Sequence, residues 1–287
     1  MVFPQAIAAV LALFEAIGLP GNLLVIVTIV VETRFHVMRY ILLASLAVSD
    51  VLFLILVNSM RIGSIAQERW LYDQTTSLVN SLFGRYFFLN TVLHLVAVSY
   101  ERYSAIVKSP LTYTGTITKS RVVLIALIWI IPIPFSIGPI LGFAGRYDYN
   151  PEVFGCEQGW TVQHGSSGRN AILVSIVSFV LPFLIILFLN WSVFKTAKSQ
   201  IEALQFQIGN LAESERQQQE MSKRMKERKA AVDITFIISA FVVCFLLIYI
   251  VGILRQFVKS IKVSAEVVLF PKRERVFHRG IQTPRNK

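Results

Sequence analysis

Three side chains able to do chemistry stand together where a long apolar run ends. In VAVSYERYSAIVKSPLTY, residues 96–113, the run closes on Glu101, Arg102 and Tyr103, and Pro110, Leu111 and Tyr113 follow. A carboxylate beside a guanidinium can form a charge-assisted hydrogen bond, and Pro110 ends the helix and turns the chain. The stretch therefore reads as a helix end at which Glu101 holds Arg102. Two further polar groups, Asn22 and Asp50, lie in the middle of the first and second apolar runs. A carboxylate at bilayer depth is costly unless paired, hydrated or neutral, so Asp50 is a functional candidate by default. The bland alternative is a protonated Asp50 hydrogen-bonded to Asn22. His94 is a lone histidine in a helix, expected to pack in the core, and no constellation of nucleophile, base or metal ligands suggests an enzyme.

The elements that must position these groups are apolar helices. Of the 287 residues 54% are hydrophobic and only 16% charged, below the roughly 25% of soluble chains, and the mean hydropathy is +0.60. The net charge of +11 sits in short segments between apolar runs, which argues against nucleic acid as a partner and for a lipid bilayer. A span needs about 20 apolar residues, and six segments qualify: 5–31, 40–60, 77–107, 122–143, 172–193 and 232–254. Runs of this length imply an all-α membrane bundle. Lys and Arg gather in alternate links, at Arg34 and Arg39, at Lys108, Lys119 and Arg121, and at Lys198 to Lys229. Those links are expected to face the cytoplasm, with the amino terminus outside and the first segment a signal anchor. The polar link, about 199–228, is expected to extend its flanking helices, with a break near Gly209-Asn210. Pro182 frees a carbonyl in the fifth segment and allows a bend, or merely shapes packing. Trp129 reads as a packing residue. Residues 1–254 form the bundle in this reading and 255–287 a basic tail.

At these residues the chain resembles the rhodopsin-like (class A) family of G-protein-coupled receptors. Gly21-Asn22 is similar to the family's first-helix signature, SLAVSD ending at Asp50 to the second, and ERY with SPLTY to the third-helix end and second intracellular loop. Trp129, Pro182 within FVLPF, and KAAV with FVVCF match the fourth to sixth helices. The resemblance implies a latch in which Arg102 is held by Glu101 and by Glu227, opening when the sixth helix swings outward. It implies a transmission triad of Val92, Pro182 and Phe241, and a sodium ion at Asp50 with Thr91 as the one candidate structural ion. It also implies that Leu111 inserts into a heterotrimeric G protein. A small-molecule ligand would meet Gly84, Arg85, Phe88, Ser175, Ser178, Phe245 and Tyr249.

Four departures qualify the resemblance. Cys156 stands where the family's loop cysteine belongs, but Ser77 replaces its partner, so no disulfide forms and the loop is expected to be looser. The aspartate with which amine receptors anchor their ligand is Gly84 here, which weighs against an amine. Arg85 beside it either attracts an anion or reaches outer headgroups. In the sixth helix Phe245, Leu246 and Leu247 stand in place of Trp and Leu-Pro, so its kink is absent. The seventh helix is the largest departure: Lys262 and Lys272 enclose nine residues, a helix of about 14 Å, and no Asn-Pro-x-x-Tyr follows. The resemblance thus implies a plasma-membrane receptor, alone or as a receptor homo- or hetero-dimer. The competing reading is a truncated, non-signalling isoform or pseudogene product that pairs with full-length receptors or holds them in the endoplasmic reticulum.

Overall fold

A computed structural model of the chain describes residues 4–108, 113, 115–142, 146–150, 154–159, 174 and 176–210, with isolated positions between 219 and 243. Among the described residues five helices are long and apolar enough to cross a membrane. They are α1 (Pro4–Val31), α2 (Met38–Ala66), α3 (Gln74–Lys108), α4 (Lys119–Ile137) and α5 (Leu181–Asn210), the last preceded by a π-helical turn at Ile176–Val180. The sixth expected segment is described only at Val232, Thr235, Ile238, Ser239 and Val243, all helical.

Where the observed limits differ from the expected ones, the cause is local chemistry. Asp73 caps α3, its carboxylate accepting from the Thr76 N–H at 3.2 Å, and so starts that helix ahead of the apolar run. The α4 helix stops at Ile137 rather than Phe143, because Pro139 offers no N–H and the chain leaves through turns to Gly142. The Pro182 ring follows directly on the π-turn, which rewinds the backbone just ahead of the missing donor.

The α3 helix is the centre. Among the described residues it carries more buried side chains than any other helix, while α1 turns Leu13, Phe14, Leu24 and Val31 outward, as lipid contact requires. The main core joins Met38 and Leu42 of α2, Val92, Leu95 and Val98 of α3, Ile128 of α4, Phe179 of the π-turn, Phe183 and Ile186 of α5, and Ile238.

Polar side chains of α3 also repair α4. A proline at position i leaves the carbonyl of i−4 without its helical donor. Pro132 does this to Ile128, whose carbonyl accepts from Asn90 Nδ2 at 3.2 Å. Pro139 does it to Phe135, whose carbonyl accepts from Arg85 Nε at 3.0 Å. Between them, Tyr86 Oη donates to the Trp129 carbonyl at 2.8 Å. Arg85 is thus committed to a neighbouring helix rather than extended to the headgroups, and the orphaned carbonyl is the reason.

His94 and Trp129 do more than pack. Trp129 Nε1 can only donate, and does so to Ser45 Oγ at 3.0 Å. The Ser45 hydroxyl is left to donate to His94 Nε2 at 2.9 Å, and His94 Nδ1 must carry the proton it gives to the Asn90 carbonyl at 2.9 Å. The chain of bonds runs one way through α4, α2 and α3 and fixes the imidazole as its neutral Nδ1–H form.

Replacing Asn90 by leucine removes the donor for Ile128 and keeps the bulk. The expected outcome is a loss of about 1–3 kcal/mol, read as a lower melting temperature in lipid nanodiscs, with Asn90→Gln intermediate.

Candidate functional site

At one end of α3 the expected pair is replaced by a different one. Glu101 is buried, and its Oε1 lies 3.3 Å from Arg121 Nε at the start of α4, while Tyr113 Oη donates to Oε2. The Arg121 guanidinium also donates to the Thr116 carbonyl and lies over the Tyr113 ring, 5.3 Å from its centroid. Burial, and then the hydrogen bond to Glu101, pushes the Tyr113 phenol up to about 12, so it remains a proton donor at neutral pH. The link from α3 to α4 is fixed further by Gly115, whose carbonyl accepts from the Met38 N–H at 3.0 Å. Its φ of +66° is one that side chains rarely adopt.

The expectation that Glu101 holds Arg102 is therefore corrected. Each carboxylate oxygen has a partner from elsewhere, Oε1 in Arg121 of α4 and Oε2 in Tyr113 of the link before it. Arg102 Nε is buried and has no hydrogen-bond partner. Its electrostatic neighbours include Arg39 and Tyr40 at the start of α2. Tyr103 packs beside Ile106, Val193 and Ala197, joining α3 to α5. Glu227, Pro110 and Leu111, the other members proposed for this face, lie outside the described residues.

In the middle of the bundle Thr91 hydrogen-bonds to the Asp50 carboxylate, the pairing implied for a sodium ion. Asn22 does not join them: its Nδ2 donates to the Gly18 carbonyl of its own helix at 2.9 Å. The bland pairing of Asp50 with Asn22 is not formed in this structure. Val92 is buried in the main core and Pro182 is buried beside it in sequence to Phe183, whereas Phe241 lies outside the described residues.

At the opposite end a two-stranded hairpin, β1 (Arg146–Asn150) and β2 (Gly155–Gly159), lies over α3. Cys156 is buried and unpaired, yet the loop is pinned. The Cys156 N–H donates to Ser77 Oγ at 3.0 Å, and Ser81 Oγ is in hydrogen-bond reach of the Ser77 and Cys156 carbonyls. Tyr147 Oη donates to the Ser136 carbonyl at the end of α4, at 3.1 Å. Among the described residues, two serine hydroxyls and a tyrosine thus join the hairpin to α3 and α4 where the disulfide is missing. Burial pushes the Tyr147 phenol up to about 12, against the opposing charge of Arg85.

Beneath the hairpin, Phe88 stacks on Phe179 with centroids 5.2 Å apart, and Phe179 meets Phe183 edge-on at 4.4 Å. Ser178 lies in the π-turn ahead of α5. Ser175, Phe245 and Tyr249 lie outside the described residues. Gly84 faces α2: a Cβ there would meet Val57 Cγ1 at 3.5 Å and Arg61 Nη2 at 3.6 Å. Sequence reasoning passed over Arg61, Asn90, Ser45 and Ser81 because nothing in linear spacing says which helices face each other. The prolines of α4 did carry a usable signal, since each one demands a donor from elsewhere.

A family model described as "7 transmembrane receptor (rhodopsin family)" matches residues 21–272. The octopamine receptor beta-2R of Chilo suppressalis is 29% identical over 258 residues, covering 83% of this chain and 64% of that receptor. 5-Hydroxytryptamine receptor 4 of Rattus norvegicus is 27% identical over 266 residues, 83% of this chain and 62% of that one. Trace amine-associated receptor 9 of Rattus norvegicus is 30% identical over 257 residues, 85% and 72% respectively. The chain thus spans just under two thirds of the length of the first two of these relatives. Squid rhodopsin shares the fold, with a TM-score of 0.67 at 21% identity over 85% of this chain and 69% of that one.

Two outcomes follow from this geometry. Ser77→Cys is expected to form a disulfide with Cys156, read as loss of the free thiol and a reductant-sensitive rise in melting temperature. Arg121→Ala leaves Glu101 buried without its cation and is expected to lose about 1–3 kcal/mol, whereas Arg121→Lys keeps part of that.

Proposed function

Because the chain belongs to the rhodopsin family of seven-transmembrane receptors, we propose that it transmits the binding of an extracellular small molecule to a heterotrimeric G protein. The observation that carries this reading is the state of Arg102. A guanidinium in a low-dielectric setting needs several acceptors, and its Nε is buried with none. Glu101, the acceptor next to it in sequence, is withdrawn by Arg121 and Tyr113. Arg102 is thus poised for a partner that supplies backbone carbonyls, as the end of an inserted G-protein helix would.

In this reading Glu227 contributes the second half of the latch, and outward movement of the sixth helix opens the face on which Arg102 lies. The polar contact between Asn190 Nδ2 and Ser239 Oγ, 3.3 Å apart, gives α5 and the sixth helix a shared hinge point. The sodium site at Asp50 and Thr91 belongs to the same proposal, as do the plasma membrane as location and pairing between receptor copies.

The relatives are named for octopamine, 5-hydroxytryptamine and trace amines. For this chain only the class of small organic ligand is carried over, because Gly84 provides no carboxylate to neutralise an amine.

Nucleotide exchange on a purified heterotrimer, with the full chain in nanodiscs, tests the proposal. Arg102→Ala is expected to lower exchange to the level of empty nanodiscs, while the fold, read by melting temperature, is retained. Exchange unaffected by that change would refute it.

A further inference from the structure

We propose that Ser99, Asn190 and Thr235 form a polar seam across the bundle at which the sixth helix pivots, and that their unpartnered groups favour opening of the half that carries Arg102. The inference rests on the receptor reading above and adds the place and the driving force of the movement. It begins from the apolar core, which is in two parts. The main cluster holds Val98 of α3, Ile186 of α5 and Ile238 of the sixth helix. A smaller one holds Ile106, Val193 and Ala197, with Val232 of the sixth helix packed against it. On each of the three helices one buried polar residue lies in sequence between the two clusters. These are Ser99, Asn190 and Thr235, at 0%, 1% and 2% exposure.

Contacts on either side place these residues at one level. Ser99 follows Phe88 by eleven residues and precedes Ile106 by seven, about three and two turns of a helix, so the three share a stripe of α3. Phe179, Asn190 and Ala197 have the same spacing before and along α5. Phe88 stacks on Phe179 and Ile106 packs with Ala197, so Ser99 and Asn190 fall on facing stripes between those contacts. From the sixth helix, Ser239 accepts from Asn190 Nδ2 at 3.3 Å. Thr235 lies one turn before Ser239 on the same helical face.

The layer is under-bonded. Ser99 Oγ, Asn190 Oδ1 and Thr235 Oγ1 are buried without a hydrogen-bond partner, and a group in that state forfeits the bonds it makes in water. When the smaller cluster parts, water reaches all three groups and that cost is lifted, while the main cluster stays packed. The bond from Asn190 to Ser239 lies on the main-cluster side of Thr235. It holds the sixth helix to α5 while the segment before Thr235 swings away. Arg102 follows Ser99 by less than one turn of α3, on the side that opens.

Hydroxyl-free variants of the full chain in nanodiscs test this, because each removes an unpartnered group and no bond. Thr235→Val and the double variant Ser99→Ala/Thr235→Val are expected to melt higher than the parent, and Thr235→Ser to match it. Opening is read by labelling with a water-soluble maleimide, in a background with Cys156 and Cys244 replaced by serine. Val193→Cys, in the smaller cluster, is expected to label, and to do so about fivefold or more slowly once Thr235→Val is added, the scale of one buried hydroxyl without a partner. Phe183→Cys, in the main cluster, is expected to resist labelling in every variant. A double variant that melts no higher than the parent overturns the proposal. So does labelling at 193 that is absent or that Thr235→Val leaves unchanged, and so does labelling at 183 as fast as at 193. Nucleotide exchange measured in parallel keeps the two readings apart: slower labelling with no fall in exchange removes the coupling proposal and leaves this one standing.

Discussion

A carbonyl without a donor cannot turn to water inside a bilayer, and much of this bundle follows from that constraint. Pro132 within α4 and Pro139 just past its end create such carbonyls, and α3 answers with Asn90 and Arg85 at the positions where the helices meet. The repair explains why the central helix is so polar on a buried face. It also ties the contact between the two helices to one register, since each donor meets one particular freed carbonyl. The one-directional run from Trp129 through Ser45 and His94 to the Asn90 carbonyl adds α2 to the same fixed unit.

The two ends of α3 are then held in different ways for different tasks. At the hairpin end, Ser77 Oγ accepts from the Cys156 N–H and Ser81 Oγ reaches the Cys156 carbonyl, each hydrogen bond worth about 1 kcal/mol, against roughly 2–4 for a covalent link. At the other end, Glu101 is bound into the link between α3 and α4 with Arg121 and Tyr113. That arrangement ties Tyr113 and the start of α4 to the end of α3, and leaves the buried Arg102 Nε without a hydrogen-bond partner.

Much of the fold was legible in the sequence. Apolar runs of membrane length and the order of GN, SLAVSD and ERY through SPLTY specify helices and their family, whereas the span expected over 122–143 ran through Pro139, where the helix in fact ends. The partners of the polar residues were not legible. Glu101 beside Arg102 looked like a pair because adjacency in sequence is visible, whereas Arg121 is distant along the chain and close only once α4 packs. The Ser77 that marked a missing disulfide also gave no hint that its hydroxyl would take over the link.

What the sequence determined by itself is the set of helices, because hydrophobic length and proline chemistry act within a single segment. What only the tertiary structure decided is which charge meets which. An ion pair or hydrogen bond depends on a separation of a few ångströms between helices, and the bundle's packing sets that separation. Arg85 on the Phe135 carbonyl, Arg121 on Glu101 and Arg102 beside that committed glutamate are three arginines of like chemistry, and the packing around each gives it different partners.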